Sequence, residues 1–179
     1  MKLVIIAAVS VDGVIGIGDD IPWYIPEDFK HFKKTTMGNM LLVGATTFKT
    51  LPKKAHEGRE FIILNSGQRF KNLETLQYYQ FSKLDTVLSL LGHDNVSLDN
   101  VFVIGGASIY DGLIDYCDEA IITWVNETYP KGDKRFPIDK LFANFDEYSD
   151  QDWQKSKSGL SYKITYYKRS DGSPKKINP

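Results

Sequence analysis

The stretch of this chain best equipped for chemistry is Ile21-Pro22-Trp23-Tyr24-Ile25-Pro26-Glu27-Asp28-Phe29-Lys30-His31-Phe32, which sets one carboxylate among large apolar side chains. Pro26 suits the first turn of a helix, where its missing N–H would go unpaired anyway. From that start Asp28, Phe29 and Phe32 share one side, because residues three and four apart are neighbours on a helix. Asp28 is therefore expected on the inward face. Desolvation there raises a carboxylate's pKa and makes it a tunable proton handler or a specific hydrogen-bond acceptor. The competing reading is structural, with Asp28 complementing the helix dipole from the first turn. The segment by itself leaves both open.

Such an acid needs a scaffold to hold it. Residues 3–9 form an apolar run that reads as a central strand, followed by a permissive, mobile loop rich in Gly13, Gly16, Gly18, Asp19 and Asp20. A helix is expected over 26–35, a strand over 41–43 ending in Gly44, and a short helix over 46–51 stopped by Pro52. Residues 61–64 read as a buried strand and 76–81 as another. Ser82-Lys83-Leu84-Asp85 is a capping-box pattern opening a helix to Leu91. A buried strand over 101–104 runs into Gly105-Gly106, a helix covers 108–116, and a strand covers 120–125. Residues 145–148 and 162–167 should pair as an antiparallel hairpin with a long connection. Tyr162, Ile164 and Tyr166 alternate with polar neighbours, which predicts an exposed strand. The polar tail 170–179 is expected to be loose.

Alternation of strands and helices predicts an α/β fold. It should have a central, mainly parallel twisted sheet, helices on both faces and an antiparallel C-terminal end. No repeat or composition break divides it, so residues 1–169 are read as one domain and 170–179 as a tail.

Bulk properties narrow the function. With 179 residues, 42% of them hydrophobic, the chain can bury a sizeable core. A formal net charge of -1 with dispersed Lys and Arg gives no support for a nucleic-acid partner. A single cysteine, Cys117, excludes an internal disulfide framework and fits a reducing compartment, hence a cytoplasmic location. His31, His56 and His93 are isolated from one another and from Cys117, so no metal site is expected. The apolar start after Met1-Lys2 superficially resembles a secretory signal, but it is short and runs into Asp12-Gly13 without a small-residue cleavage site. No run approaches transmembrane length, so no membrane partner is expected.

Several blocks, in order, carry a resemblance over nearly the whole chain from Leu3 to about Arg169. They are Ala7-Ala8 with Val11-Asp12-Gly13-Val14-Ile15-Gly16, Pro22-Trp23 to Phe32, and Gly44-Ala45-Thr46-Thr47-Phe48. Gly58-Arg59, Val103-Ile104-Gly105-Gly106-Ala107-Ser108-Ile109-Tyr110, and Gly132-Asp133 with Phe136-Pro137 complete the set. Any one block is weak, but in this order the chain resembles the dihydrofolate reductase family.

The resemblance implies reduction of dihydrofolate to tetrahydrofolate by hydride transfer from NADPH. Asp28 matches the family's acid, which accepts hydrogen bonds from the pterin's ring N–H and amino group and favours its protonation. The proton itself would arrive through water or the pterin's tautomers. Thr123 matches a threonine that supports this acid, and Trp23 a tryptophan whose indole N–H orders water beside the pterin. Ile6, Ala8, Phe29, Phe32, Leu51 and Ile104 would line the pterin and aryl pocket. Arg59 resembles the arginine that takes the carboxylate of the folate glutamate, a planar ion matched to a guanidinium fork.

For the cofactor, the resemblance implies contacts from Ala8, Ile15, Gly16, Gly44, Ala45, Thr46, Thr47, Asn65 and Ser66, and from Ile104, Gly105, Gly106, Ala107, Ser108, Ile109 and Tyr110. Gly105-Gly106-Ala107-Ser108 would let backbone approach a pyrophosphate closely, and in the family the two glycines are joined by a cis peptide. Thr46 and Thr47 would meet phosphate from the other side, and Tyr110 would stand near the nicotinamide. The segment from Gly13 to Tyr24 matches a loop that closes over that ring, excludes water and gates product release.

Two positions depart from the family pattern. Arginines that hold the 2′-phosphate of NADPH are common where this chain has Ala45 and Ser108. Losing both could cost several kcal/mol of preference over NADH, at roughly 1.5–3 kcal/mol each. Ser66, Gln68 and Arg69 are candidate replacements, so NADPH remains the expected cofactor with NADH use possible. A small-molecule substrate and a monomer are the simplest expectations. The rival readings are a riboflavin-pathway reductase of the same fold and a catalytically inactive binding module. The intact Pro-Trp to Phe segment with Arg59 argues against the first, and the intact Asp28, Trp23, Thr123 and Gly105-Gly106 against the second.

Overall fold

The computed structural model describes residues 1–67, 77–92 and 99–171. The strands, in chain order, are β1 (Lys2–Ser10), β2 (Val14–Gly16), β3 (Met40–Gly44), β4 (Glu60–Leu64), β5 (Tyr78–Phe81) and β6 (Asn100–Val103). They continue as β7 (Glu119–Val125), β8 (Lys134–Arg135), β9 (Phe145–Asp150), β10 (Gln154–Lys155) and β11 (Ser161–Arg169). The helices are α1 (Pro26–Thr36), α2 (Ala45–Thr50), α3 (Leu84–Leu91), α4 (Ala107–Leu113) and α5 (Ile138–Asn144).

Among the described residues nine strands form one sheet in the order β10-β11-β7-β1-β6-β3-β4-β5, with β9 also on β11. From β7 to β5 neighbours run parallel, and β11 turns antiparallel against β7. The α/β architecture expected from the alternating pattern is the one observed. β1 sits centrally because its apolar run can be buried on both faces, and alternate residues feed two cores. Leu3, Ile5, Ala7 and Val9 pack with Val87 and Leu91 of α3, Leu113 of α4 and Leu141 of α5. Val4 and Ile6 face the opposite side, with Trp23, Ile25, Phe48 of α2, Phe61 and Ile104. Ala8 and Phe32 of α1 pack against that second cluster.

Some expectations are corrected. β11 is not an exposed strand, because it lies inside the sheet with β7 on one side and β9 and β10 on the other. Tyr162 and Ile164 enter one core and Tyr167 the other. The capping box does not form: α3 starts at Leu84 with extended Lys83 before it, and no side chain caps it. The glycine-rich loop is partly ordered as strand, since β2 pairs antiparallel with β8 in a small ribbon. The helix expected over 108–116 ends at Leu113 and tightens into a 3₁₀ turn, Ile114–Tyr116. Leu76, Gln68, Arg69, His93 and the tail from residue 172 lie outside the described residues. No helix among the described residues is long and apolar enough to cross a membrane.

Candidate active site

At the carboxyl ends of the parallel strands β1, β3 and β6, Ala8, Val43 and Ile104 belong to or pack on the second core, and such strand ends are a common place for ligands in α/β sheets. α1 brings Asp28 to Thr123 of β7, beside Ala8. Asp28 Oδ1 accepts a 2.6 Å hydrogen bond from Thr123 Oγ1. Thr123 is buried on β7, in register with Ala8 of β1 on one side and Ile164 of β11 on the other. Burial raises the Asp28 pKa above the ordinary aspartate value, and the Thr123 hydrogen bond offsets part of this. The acid is thus a desolvated carboxylate with a neutral donor, which explains why the dipole reading alone does not describe it.

Trp23, Ile6 and Ile104 are buried in the same cluster, and Ala8, Phe32 and Leu51 pack against it. Trp23 also lies against the ring of Tyr129, 5.2 Å between centroids. Phe29 departs from the expected inward side: it is 44% exposed and leans on Tyr24, 5.9 Å away. One helical step of about 100° separates it from Asp28, which carries it to the edge of the inward stripe. Phe29 stands at the rim.

Arg59 is only 6% exposed. Its Nε donates to Thr36 Oγ1 at 2.9 Å, its Nη1 to the carbonyls of Ala55 and Glu57 at 2.9 and 3.1 Å, and its Nη2 to that of Lys33 at 3.2 Å. The guanidinium also lies 5.5 Å from the centroid of Phe32. Burial lowers its pKa, with Glu57 opposing. Among the described residues no carboxylate is close enough to form an ion pair with it. A buried cation held by neutral acceptors is preorganised for an incoming anion.

On the adjoining side, Gly105 and Gly106 are joined by a cis peptide, and Gly105 has a φ of +100°, which suits glycine. Gly44 N donates to Gly105 O at 2.7 Å, tying the start of α2 to this turn. A Cβ on Gly106 would lie 2.9 Å from Thr47 Oγ1, so the glycine and Thr47 face each other across a narrow space. Tyr110 is buried and donates from its hydroxyl to Ile6 O at 2.9 Å; burial pushes its pKa far up. Thr46, Ser66 and Ser108 are exposed, while Ala45, Ala107, Ile109 and Asn65 are half-buried. Ile15 and Ile109 pack against the first core rather than the second, and Gly16 is buried at the end of β2.

The 12–20 segment is pinned from the 126–135 side. Asp12 accepts from Ser10 Oγ at 2.5 Å and from Tyr129 N at 3.0 Å, Arg135 Nη1 donates to Asp12 O at 2.7 Å, and Gly18 N donates to Asp133 Oδ1 at 2.9 Å.

Sequence reasoning missed Thr36, the carbonyl cradle of Arg59 and the ring of Tyr129. A threonine closing a helix gives no sign of receiving an arginine from 23 positions away. Among the described residues no group of acidic, histidine or cysteine side chains could hold a metal ion.

Residues 2–169 match the dihydrofolate reductase family. Dihydrofolate reductase of Mycobacterium tuberculosis is 32% identical over 171 residues, spanning 93% of this chain and 97% of that protein. Dihydrofolate reductase type 9 of Escherichia coli is 34% identical over 124 residues, 69% of this chain and 70% of its own. Among solved structures, dihydrofolate reductase of Enterococcus faecalis complexed with NADP(H) and RAB-propyl superposes with a TM-score of 0.79 at 25% identity. It covers 95% of this chain and 97% of that one. The chain belongs to the dihydrofolate reductase family and is a nicotinamide-dependent oxidoreductase.

Proposed function

We propose that this protein reduces 7,8-dihydrofolate to 5,6,7,8-tetrahydrofolate with NADPH as reductant, residues 1–169 forming the reductase domain and 170–179 a tail. The observation that carries this reading is the presence, on one apolar face, of an acid fixed by Thr123 and a buried cation that has no acidic partner among the described residues. Their chemistry suits the two ends of a folate.

In this reading Asp28 accepts hydrogen bonds from the pterin's ring N–H and amino group, and its raised pKa favours a protonated pterin. Thr123 keeps the carboxylate's orientation. Trp23 orders the water through which a proton reaches the imine nitrogen. Ile6, Ala8, Phe32, Leu51 and Ile104 exclude bulk water around the ring system, with Phe29 closing the rim. Arg59 takes the glutamate carboxylate. When bound, the reduced nicotinamide supplies the hydride.

The residues present fit such a cofactor. Gly106 leaves a space that a Cβ would fill beside Thr47, and backbone approaches a pyrophosphate best where no side chain intervenes. Gly44, Ala45, Thr46 and Thr47 would hold it from one side and Gly105, Gly106, Ala107 and Ser108 from the other. Ala8, Ile15, Gly16, Ile104, Ile109 and Tyr110 would lie near the nicotinamide, and Asn65 and Ser66 farther along. Without arginines at Ala45 and Ser108 the preference for NADPH over NADH is reduced. The protein is taken as a cytoplasmic monomer with neither nucleic acid nor membrane as partner.

The test is loss of reduced-nicotinamide absorbance with dihydrofolate, run in parallel with NADPH and NADH. Much faster turnover with NADPH supports the reading and places new contacts on the 2′-phosphate. Comparable rates support the reaction and assign relaxed cofactor choice to Ala45 and Ser108. Absence of turnover with either overturns it and favours a binding module.

A further inference from the structure

The carbonyls of Ala55 and Glu57 both accept from Nη1 of Arg59, and His56 lies between them. Its ring is wedged against two fixed aromatic residues. Phe48 of α2 lies 5.0 Å away at 48°, and Phe61 of β4 lies 5.3 Å away at 43°. Those two are themselves 5.2 Å apart at 73°, and both are deeply buried. Offset and tilted aromatic packing of this kind has defined geometry and resists rotation.

The remaining backbone ties are two local bonds and one longer one, in which Gly38 N donates to Gly58 O at 2.9 Å. Ala55 N donates to Pro52 O and His56 N to Lys53 O, closing a single 3₁₀ turn. A short exposed turn holds its carbonyl directions poorly by itself. The His56 ring carries this turn onto the buried aromatic residues. Its Nε2 is buried and unpartnered, so packing rather than hydrogen bonding at that atom sets the ring's place. Burial lowers the His56 pKa, opposed by a backbone hydrogen bond with Leu51.

We propose that His56 is a positioning residue for Arg59, pinning the two carbonyls that aim the guanidinium and thereby setting the preference for a substrate that carries a glutamyl carboxylate. This rests on the reading that Arg59 receives that carboxylate. The cradle occupies the Nε and Nη1 donors and one on Nη2, so its geometry aims the Nη2 N–H left for the carboxylate, and loosening it should weaken recognition of the tail and leave pterin chemistry alone.

The test is steady-state kinetics of wild type, His56→Ala, His56→Phe and Arg59→Leu, with dihydrofolate and with a 6-methyl dihydropterin lacking the aryl-glutamate tail. The expected result for His56→Ala is a KM for dihydrofolate raised on the order of tenfold, with kcat and the constants for the tail-less pterin near wild type. His56→Phe keeps the ring contacts and should restore the preference. A His56→Ala variant that raises KM equally for both substrates, or for neither, overturns the proposal. Should His56→Ala not fold, His56→Leu fills the space without a stacked ring, and an unchanged tail preference there overturns it equally. The underlying reading is tested separately: if Arg59→Leu retains the wild-type preference for dihydrofolate, the tail assignment falls and the role of His56 with it. If Arg59→Leu loses that preference and His56→Ala keeps it, only the role of His56 falls.

Discussion

Thr123 reaches Asp28 across 95 positions of sequence, its hydroxyl 2.6 Å from the carboxylate. The acid comes from a helix and its donor from the sheet, so the pair exists only when α1 is seated on β7. Removing the donor while keeping the shape, as in Thr123→Val, should leave the fold intact. The lost hydrogen bond lowered the Asp28 pKa, so the variant's acid should titrate higher than in wild type. A hydrogen bond to a charged group contributes about 1.5–3 kcal/mol, and kcat/KM near neutral pH should fall about tenfold or more. Wild-type kinetics in the variant would show that the hydroxyl is incidental.

Asp28→Asn separates stability from activity. Burial raises the Asp28 pKa above the ordinary 3.8, so the folded state binds this proton more tightly than the unfolded state. The associated stability is full below that ordinary value and is lost as pH rises through the folded-state value. The ligand-free Asn variant should therefore melt higher than wild type at neutral pH, with the two curves converging toward pH 3. Activity should move the opposite way, falling on the order of 100-fold or more near neutrality. Thermal melts across pH, paired with rates, check both halves; a variant with full activity would remove Asp28 from the mechanism.

Gly106→Ala tests the narrow gap beside Thr47. The added methyl would sit 2.9 Å from Thr47 Oγ1, closer than carbon and oxygen comfortably approach, and in the space assigned to the cofactor. NADPH affinity followed by fluorescence titration should weaken roughly tenfold, about 1.4 kcal/mol. Unchanged affinity would place the pyrophosphate elsewhere.

Asp133→Ala releases the Gly18 N–H, now held at 2.9 Å. Losing this exposed contact should let the 12–20 segment open severalfold more often. Amide exchange at Gly18 should speed up accordingly, and kcat should drop by a similar factor if closure commits the substrate. Faster exchange with unchanged kcat would separate the contact from turnover.

What could be read from the residues is mostly local. Pro26 marks the start of α1, continuous apolar runs mark β1 and β4, and Gly105-Gly106 marks a turn that no larger residue would fit. The interior placement of β11 was hidden because Thr165 looks like a solvent-facing residue, yet it is buried and satisfied by Asp150. Phe29 lies at the rim because it follows Asp28 directly, one helical step around from it, and spacing alone does not say how far that step turns it outward. The cradle of Arg59 is built from backbone carbonyls, and carbonyls carry no sequence signature at all. Sequence patterns report what a residue prefers near itself and are silent on which distant backbone will surround it.

The position of β1 has a consequence for how the chain is made. Both its sheet neighbours, Asn100–Val103 and Glu119–Val125, are synthesised some hundred residues after it. Until they emerge an apolar strand therefore waits with both edges bare, a state prone to pairing with other chains. Its closure must pay a long-loop entropy before any contact rewards it. Yield in the cell should consequently follow chaperone supply and temperature during synthesis more closely than it follows the stability of the finished protein.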